Sequence, residues 1–349
     1  MKILVTGGAG FVGSHVSEFY AKNGYDVTVV DNLSRAEIFK MNRKISMYNW
    51  NYLKSRYKNV NLIKGDIRDA KLMKKLVKNV DAIFHTAAQT AVTTSLIDPR
   101  TDFEINALGT FNILEAVRLS GNCPAFIFCS TNKVYGNNVN RIPLKERKTR
   151  YEFSDPKFKN GIPETFSTDL CEHTPYGCSK YLADVYVQDY AERDLIDAGI
   201  FRMSCIYGTR QFGVEDQGWV MWFTIATILG KPIKIYGDGK QVRDILYIDD
   251  LIKAYDAFIK KREKIRFGVF NIGGGVNNTI SLLELLDLLE KETGKRSNIS
   301  FSDWRPSDQK VYISDITKAK RILKWEPKID PKNGVKRIVE WVERNKEFF

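Results

Sequence analysis

The chain has 349 residues, of which 43% are hydrophobic and 28% charged, and it carries a formal net charge of +12. That balance belongs to a folded protein with a sizeable core and excludes a disordered or fibrous chain. No apolar run is long enough to cross a bilayer; the nearest, 219–229, is short and contains Thr224 and Thr227, so no membrane partner is expected.

The chain opens on the strand-like run Lys2-Ile3-Leu4-Val5, and no signal peptide is expected. Strands are predicted at 2–6, 26–31, 60–65, 82–87 and 125–131, each rich in Val, Ile and Phe. Helical patterns lie between and after them, near 13–23, 42–57, 69–79 and 99–120. Such alternation predicts an α/β fold, a doubly wound parallel sheet of Rossmann type with right-handed helical crossovers. Wholly apolar strands such as Ala125-Phe126-Ile127-Phe128 suit a sheet covered on both faces. Residues 137–172 are polar and aperiodic and carry Pro143, Pro156 and Pro163, which reads as a functional loop or cover. Pro175 fits the first turn of the helix that follows. Later the pattern is less regular, with amphipathic helices at 282–293 and 334–348. The expected division is a Rossmann domain over 1–200, to which part of 240–272 returns, and a smaller α/β domain over 201–349.

The excess positive charge gathers at Arg35, Lys40, Arg43, Lys44, Lys54, Arg56, Lys58 and Lys64, opposed there only by Glu37. A solvated helix face accounts for it better than nucleic-acid binding, and no specific nucleic-acid partner is expected. The five cysteines show neither a CxxC pair nor metal spacing. No metal is expected, and reduced thiols in a cytoplasmic protein fit the odd count.

The run Thr6-Gly7-Gly8-Ala9-Gly10-Phe11-Val12-Gly13-Ser14 follows the first strand and opens the first helix. There glycines permit a tight turn, and backbone N–H groups can approach a pyrophosphate at the helix N-terminus. Gly7, Gly10, Phe11, Val12 and Gly13 are therefore predicted to hold a dinucleotide. Asp31 ends the second strand, where a carboxylate can accept from an adenosine ribose and repel a 2′-phosphate, so NAD is expected. Asn32, Ser34 and Arg35 follow it, and Asp66-Ile67, after the third strand, is placed to meet adenine.

Thr131 ends the fifth strand, and Tyr176 and Lys180 stand four apart on one helical face. A tyrosine is a weak base at neutral pH, but a nearby ammonium and a cationic nicotinamide favour its phenolate. The phenolate can take a hydroxyl proton while hydride leaves, and Thr131 can hold the same hydroxyl. These three are the predicted catalytic residues.

Taken together, these residues resemble the extended short-chain dehydrogenase/reductase family, whose members modify nucleotide-sugars. The likeness runs through TGGAGFVG, His85-Thr86-Ala87-Ala88-Gln89, Asn106, Ser130-Thr131-Asn132-Lys133-Val134-Tyr135-Gly136, Tyr176-Gly177-Cys178-Ser179-Lys180, Phe201-Arg202-Met203-Ser204 and Gly237–Asp244. The resemblance adds Ala87, Ala88, Gln89 and Asn106 to the cofactor contacts, and Arg243 and Arg305 as pyrophosphate ligands. Within the family the chain most resembles the CDP-tyvelose (CDP-paratose) 2-epimerases, at the runs around Asn132-Lys133, Arg210-Gln211-Phe212 and Asp216-Gln217-Gly218-Trp219-Val220. Related dehydratases carry an acidic pair where this chain has Asn132 and Lys133. The resemblance thus implies an NAD-dependent epimerase of a nucleotide-sugar, preferably inverting C2 of a CDP-hexose. A UDP-hexose 4-epimerase is the alternative, and a non-catalytic dinucleotide sensor a distant one. Gln89, Thr131, Asn132, Lys133, Gln211 and Gln217 are expected to border the sugar. Cys205 stands where many relatives have asparagine. A homodimer, or alternatively a tetramer, built on helices 99–120 and 175–198 is also implied.

Overall fold

The computed structural model describes residues 1–39, 42–305 and 307–349; Lys40 of the basic stretch and the side chain of Arg43 lie outside the description. Five strands appear near their predicted places: β1 (Lys2–Thr6), β2 (Asp26–Asp31), β3 (Val60–Lys64), β4 (Ala82–His85) and β5 (Ala125–Thr131). With β6 (Asp197–Met203) and β7 (Phe267–Ile272) they form one sheet in the order β7-β6-β5-β4-β1-β2-β3. The pairs β1–β2, β1–β4, β2–β3 and β4–β5 are parallel. The order reverses between β1 and β4, which opens a crevice at their carboxyl ends where such sheets bind ligands. Every residue of β5 is buried, as expected of a strand covered on both faces. Ile113, Leu114 and Val117 from one helix and Ala183 and Val187 from another share a core with Phe126 and Phe128. Burying each large side chain there contributes roughly 1.5–3 kcal/mol.

Two predicted helices are interrupted. The 42–57 pattern is divided into Arg43–Ser46 and Tyr48–Arg56. The 99–120 pattern consists of Pro99–Phe103, a π-turn at Glu104–Leu108, and Gly109–Ser120. Asp98 caps its start by accepting from the Thr101 N–H at 3.0 Å, and Gly121, at φ 69°, ends it in the left-handed region. Side-chain periodicity does not reveal one extra residue in a turn, so the π-turn left no mark in the pattern.

The chain divides into two compact units interleaved along the sequence. The first holds 1–134, 174–202 and 252–270; the second holds 135–173, 203–251 and 271–349. Residues 135–173, which the sequence reading grouped with the first domain, thus pack with the second. There the polar stretch forms a small hairpin, Leu144–Glu146 against Tyr151–Phe153. Arg150 joins Glu284 at 2.7 Å, and Asn271 Nδ2 donates to the Ile162 carbonyl at 2.8 Å. In the same unit the strand Val242–Tyr247 pairs with Cys205–Tyr207, Thr279–Ser281 and Val311–Tyr312. The helix Leu282–Thr293 begins in a capping box of Ser281 and Glu284. The last long helix runs over Pro331–Arg344, three residues earlier than predicted, because Asp330 caps it and Pro331 opens it. Among the described residues, no helix is long and apolar enough to cross a membrane.

Candidate active site

The turn after β1 is built from close backbone approaches that only glycine allows. Gly7 has φ 68°, and a Cβ there would lie 2.6 Å from the Ala87 Cα; one on Gly13 would lie 2.4 Å from the Gly7 carbonyl oxygen. The Gly10 N–H donates to that carbonyl at 3.0 Å, and the helix Phe11–Lys22 starts with no side-chain cap. Its first N–H groups are thus left to a ligand, in a cradle that side chains would fill. These features fit a dinucleotide pyrophosphate.

Asp31 accepts from the N–H of Ala9 at 2.9 Å and of Leu33 at 2.8 Å, which ties the end of β2 to the glycine turn. Burial raises its carboxyl above the usual range, although those two bonds oppose the shift. Asn32 Nδ2 donates to Asp66 at 2.9 Å, and Asn32 Oδ1 accepts from the Ser34 N–H at 3.0 Å. Burial would lift Asp66, but hydrogen bonds from Arg68 and Asn32 outweigh it and bring the carboxyl down to about 2. Ile67 is buried and packs on Gly109. Arg35 is half-buried, its guanidinium 5.6 Å from the Phe39 ring centre. Asp31, Asn32 and Asp66 therefore form one hydrogen-bonded edge at the ends of β2 and β3.

The loop after β4 carries Ala87 and Ala88, both half-buried, and Gln89, which is buried. His85 supports it from below: the Thr6 hydroxyl lies 2.7 Å from Nδ1 and the Thr110 hydroxyl 2.8 Å from Nε2. The Gln89 amide turns inward, donating to the Ala91 carbonyl at 2.8 Å and to Asp102 at 2.9 Å while accepting from the Ala91 N–H. Those bonds occupy the side chain that the sequence reading set beside a sugar. Asn106, in the π-turn, accepts from the Gln89 N–H at 2.9 Å and donates to its carbonyl at 3.0 Å.

Thr131 ends β5, and Tyr176 and Lys180 lie one turn apart on the helix Thr174–Glu192; all three are buried. Tyr176 is hydrogen-bonded to Thr131, and its N–H donates to Ser95 Oγ at 3.1 Å. Burial pushes the phenol up to about 12 against the Thr131 bond, and Asp102 and Cys129 push the same way. The same burial lowers Lys180 to about 8, its ammonium 4.3 Å from the Phe128 ring centre. The expected gain of Lys180 on Tyr176 is thus outweighed here, because both groups have left water. Asp184, on the same helix, accepts from the Ser130 hydroxyl at 2.6 Å and pairs with Arg202 at 3.0 Å inside the core. That anchor holds the helix against β5 and β6; nothing in the spacing of the sequence singled out Asp184. Asn132 is buried, with its Oδ1 3.3 Å from the Thr131 hydroxyl, and the Lys133 N–H donates to that hydroxyl at 3.2 Å.

In the second unit, Arg243 is buried and pairs with Asp308 at 2.7 Å, not with its neighbour Asp244. Arg305 pairs with Asp216 at 2.9 Å and lies 4.1 Å above the Tyr236 ring. Arg210 and Phe212 both adopt positive φ, 63° and 29°, on either side of buried Gln211. Paired strain of this kind in non-glycine residues is held only where surrounding contacts enforce it, and it concentrates at functional sites. Gln211 Nε2 donates to the Ile206 carbonyl at 3.0 Å, and its Oε1 meets no donor among the described residues. The N–H of Gln217 donates to the Val214 carbonyl at 3.0 Å. Cys205 accepts from the Trp219 indole at 3.3 Å, a use of the thiol that the departure from asparagine did not suggest.

The chain is similar to several known proteins. The family described as GDP-mannose 4,6 dehydratase matches residues 4–338. The chain is 42% identical over 349 residues to a CDP-paratose 2-epimerase of Salmonella typhi, covering 98% of this chain and 99% of that one. It is 31% identical to a UDP-glucuronate 4-epimerase of Thermodesulfobacterium geofontis, covering 99% and 97%. Among solved structures, UDP-glucuronic acid 4-epimerase from Bacillus cereus, in complex with UDP-glucuronic acid and NAD, superposes with a TM-score of 0.83. That pair is 29% identical and covers 99% of this chain and 100% of the other.

Proposed function

Because the chain belongs to the extended short-chain dehydrogenase/reductase family of nucleotide-sugar epimerases and dehydratases, we propose that it is an NAD-dependent epimerase inverting C2 of a CDP-linked hexose. The observation that carries the chemistry is the buried Tyr176, hydrogen-bonded to Thr131 and one turn from Lys180, with Asn132 and Lys133 in place of carboxylates. The preference for C2 and for CDP is supported by the higher full-length identity to the CDP-paratose 2-epimerase than to the UDP-glucuronate 4-epimerase.

Gly7, Gly10, Phe11, Val12 and Gly13 would hold the pyrophosphate of NAD, with Asp31, Asn32, Ser34, Arg35, Asp66 and Ile67 at its adenosine. Ala87, Ala88 and Asn106 would line the rest. When bound, NAD would supply a reversible hydride acceptor for a ring carbon and a cationic ring that favours a phenolate. Tyr176 takes the proton of the sugar hydroxyl and gives it back, Thr131 orients that hydroxyl, and Lys180 keeps a positive charge beside it. With no carboxylate pair after Thr131, the chain has no acid and base there to expel water from the sugar. Arg243 and Arg305 would exchange their carboxylate partners for the substrate's pyrophosphate, which suits a guanidinium fork. Gln211 and Gln217 would border the sugar.

In this reading the protein is cytoplasmic, where its five cysteines remain thiols. The reading also makes the protein a homodimer. The test is incubation with CDP-, UDP- and GDP-hexoses, with products identified by NMR. CDP-tyvelose or CDP-glucose should yield the 2-epimer without any 4-keto-6-deoxy product. A C4 epimer, or turnover of UDP-sugars alone, would replace this reading by the UDP-hexose 4-epimerase.

A further inference from the structure

We propose that Asp102 is a positioning residue for Tyr176 and Lys180: its buried carboxylate ties their helix to the loop after β4 and to the π-turn at a single point. The inference rests on the reading of this unit as an NAD-dependent oxidation site.

Asp102 lies two residues before the π-turn, is 1% exposed, and forms no ion pair among the described residues. A carboxylate that deep is costly unless donors surround it. Three do so, each from a different segment. Ser179 Oγ donates at 2.5 Å, Gln89 Nε2 at 2.9 Å and Asn106 Nδ2 at 3.2 Å. Ser179 immediately precedes Lys180 and lies three residues after Tyr176, so its hydroxyl reports directly on the turn that carries both. Its alternative acceptor is the Tyr176 carbonyl at 3.1 Å, within the helix itself. Bonding to Asp102 gives that turn an external fixed point. The two-way pairing of Asn106 with the Gln89 backbone completes the junction. Movement of any one segment would break bonds to the other two.

The carboxylate also acts through its charge. Around Tyr176 stand Thr131 and Cys129 of β5, Asp102 of the Pro99–Phe103 helix, and Lys180 on its own helix. His85 of β4 is held neutral, pushed down to about 3 by burial and by Lys180. Asp102 is the carboxylate that opposes ionisation of Tyr176, and it also favours the charged form of Lys180. A purely structural tether would not make that coupling visible.

The experiment compares the holoprotein with Asp102→Asn and Ser179→Ala. The Tyr176 phenolate is titrated by near-ultraviolet difference against Tyr176→Phe, and kcat and KM are measured alongside. Asp102→Asn should lower the titration midpoint by about half a pH unit or more, because the opposing charge is gone. Its kcat should fall roughly 10- to 100-fold with KM and bound NAD retained, as expected for loss of alignment. Ser179→Ala keeps the charge, so it should lower kcat and leave the midpoint in place; it also tests the tether if Asp102→Asn folds poorly. An unmoved midpoint in folded Asp102→Asn, or full kcat in Ser179→Ala, would overturn the proposal. A wild-type protein that holds no NAD and shows no Tyr176 titration would overturn the underlying reading, and is recognisable as that different failure.

Discussion

Tyr176 resists its own ionisation, since burial holds its proton on to about pH 12 and the Thr131 bond only partly offsets that. In the proposed reaction its use as a base would therefore depend on positive charge arriving with the cofactor, not on Lys180 alone. Tyr176→Phe removes the phenolic oxygen and leaves the glycine turn and the Asp31 edge untouched. It should keep its NAD while turnover falls by about two to four orders of magnitude. Turnover near that of the wild type would remove Tyr176 from the chemistry. Residues of this kind were readable because a chemical role demands a residue type at a spacing: glycine after a strand, acid at a strand end, Tyr and Lys one turn apart. Partners fixed by the fold were not readable. Arg243 finds Asp308 across 65 positions of sequence, and Gln89 turns towards Asp102 because a buried carboxylate needs donors.

Elements followed the same division. β1, β4 and β5 were legible because a doubly covered parallel strand is a short apolar run, and the strong helix at 282–293 because its apolar stripe repeats every three to four residues. The π-turn and the early start of the last helix depend on backbone hydrogen bonding and capping, which periodicity does not report. That last helix offers a test of element packing. Gly334 lies in its first turns, and a Cβ there would come 1.9 Å from the hydroxyl of buried Tyr207 and 2.7 Å from its Cζ. Gly→Ala within an exposed helix usually stabilises by about 1 kcal/mol. Here overpacking should reverse the sign, and thermal unfolding of Gly334→Ala should report a loss of roughly 1–3 kcal/mol. The Tyr207 hydroxyl has no hydrogen-bond partner among the described residues, so Tyr207→Phe in the same chain should recover part of the loss. A stabilised Gly334→Ala would mean that the helix and the Cys205–Tyr207 strand are not packed this closely.

At the scale of the whole molecule, the crossings at 134 and 174 flank the polar, aperiodic stretch 137–172, whose composition marks a break without saying which unit it joins. The first unit leaves an apolar face uncovered. Of the fifteen large apolar side chains exposed among the described residues, nine lie between 96 and 119 or between 182 and 186. Phe103, Phe111 and Leu119 line one run, and Leu182, Val185 and Tyr186 line the facing side of the Thr174–Glu192 helix. Phe111 and Tyr186 meet edge to face with ring centres 5.5 Å apart, so the two runs form one surface. Apolar exposure concentrated in this way marks a protein interface, whereas scattered single residues need no explanation. A second copy of the chain is the occupant proposed, since one such face paired with its equivalent buries both at once about a twofold axis. Light scattering should then report a mass of two chains, or of four if dimers pair. The double variant Leu182→Glu with Tyr186→Glu would place charges in the middle of that face, where burying them unpaired is costly. It should run as a single folded chain that still retains NAD, since neither side chain belongs to the dinucleotide cradle. A wild-type protein that is monomeric at micromolar concentration would refute the dimer, and an unchanged mass for the double variant would move the interface elsewhere.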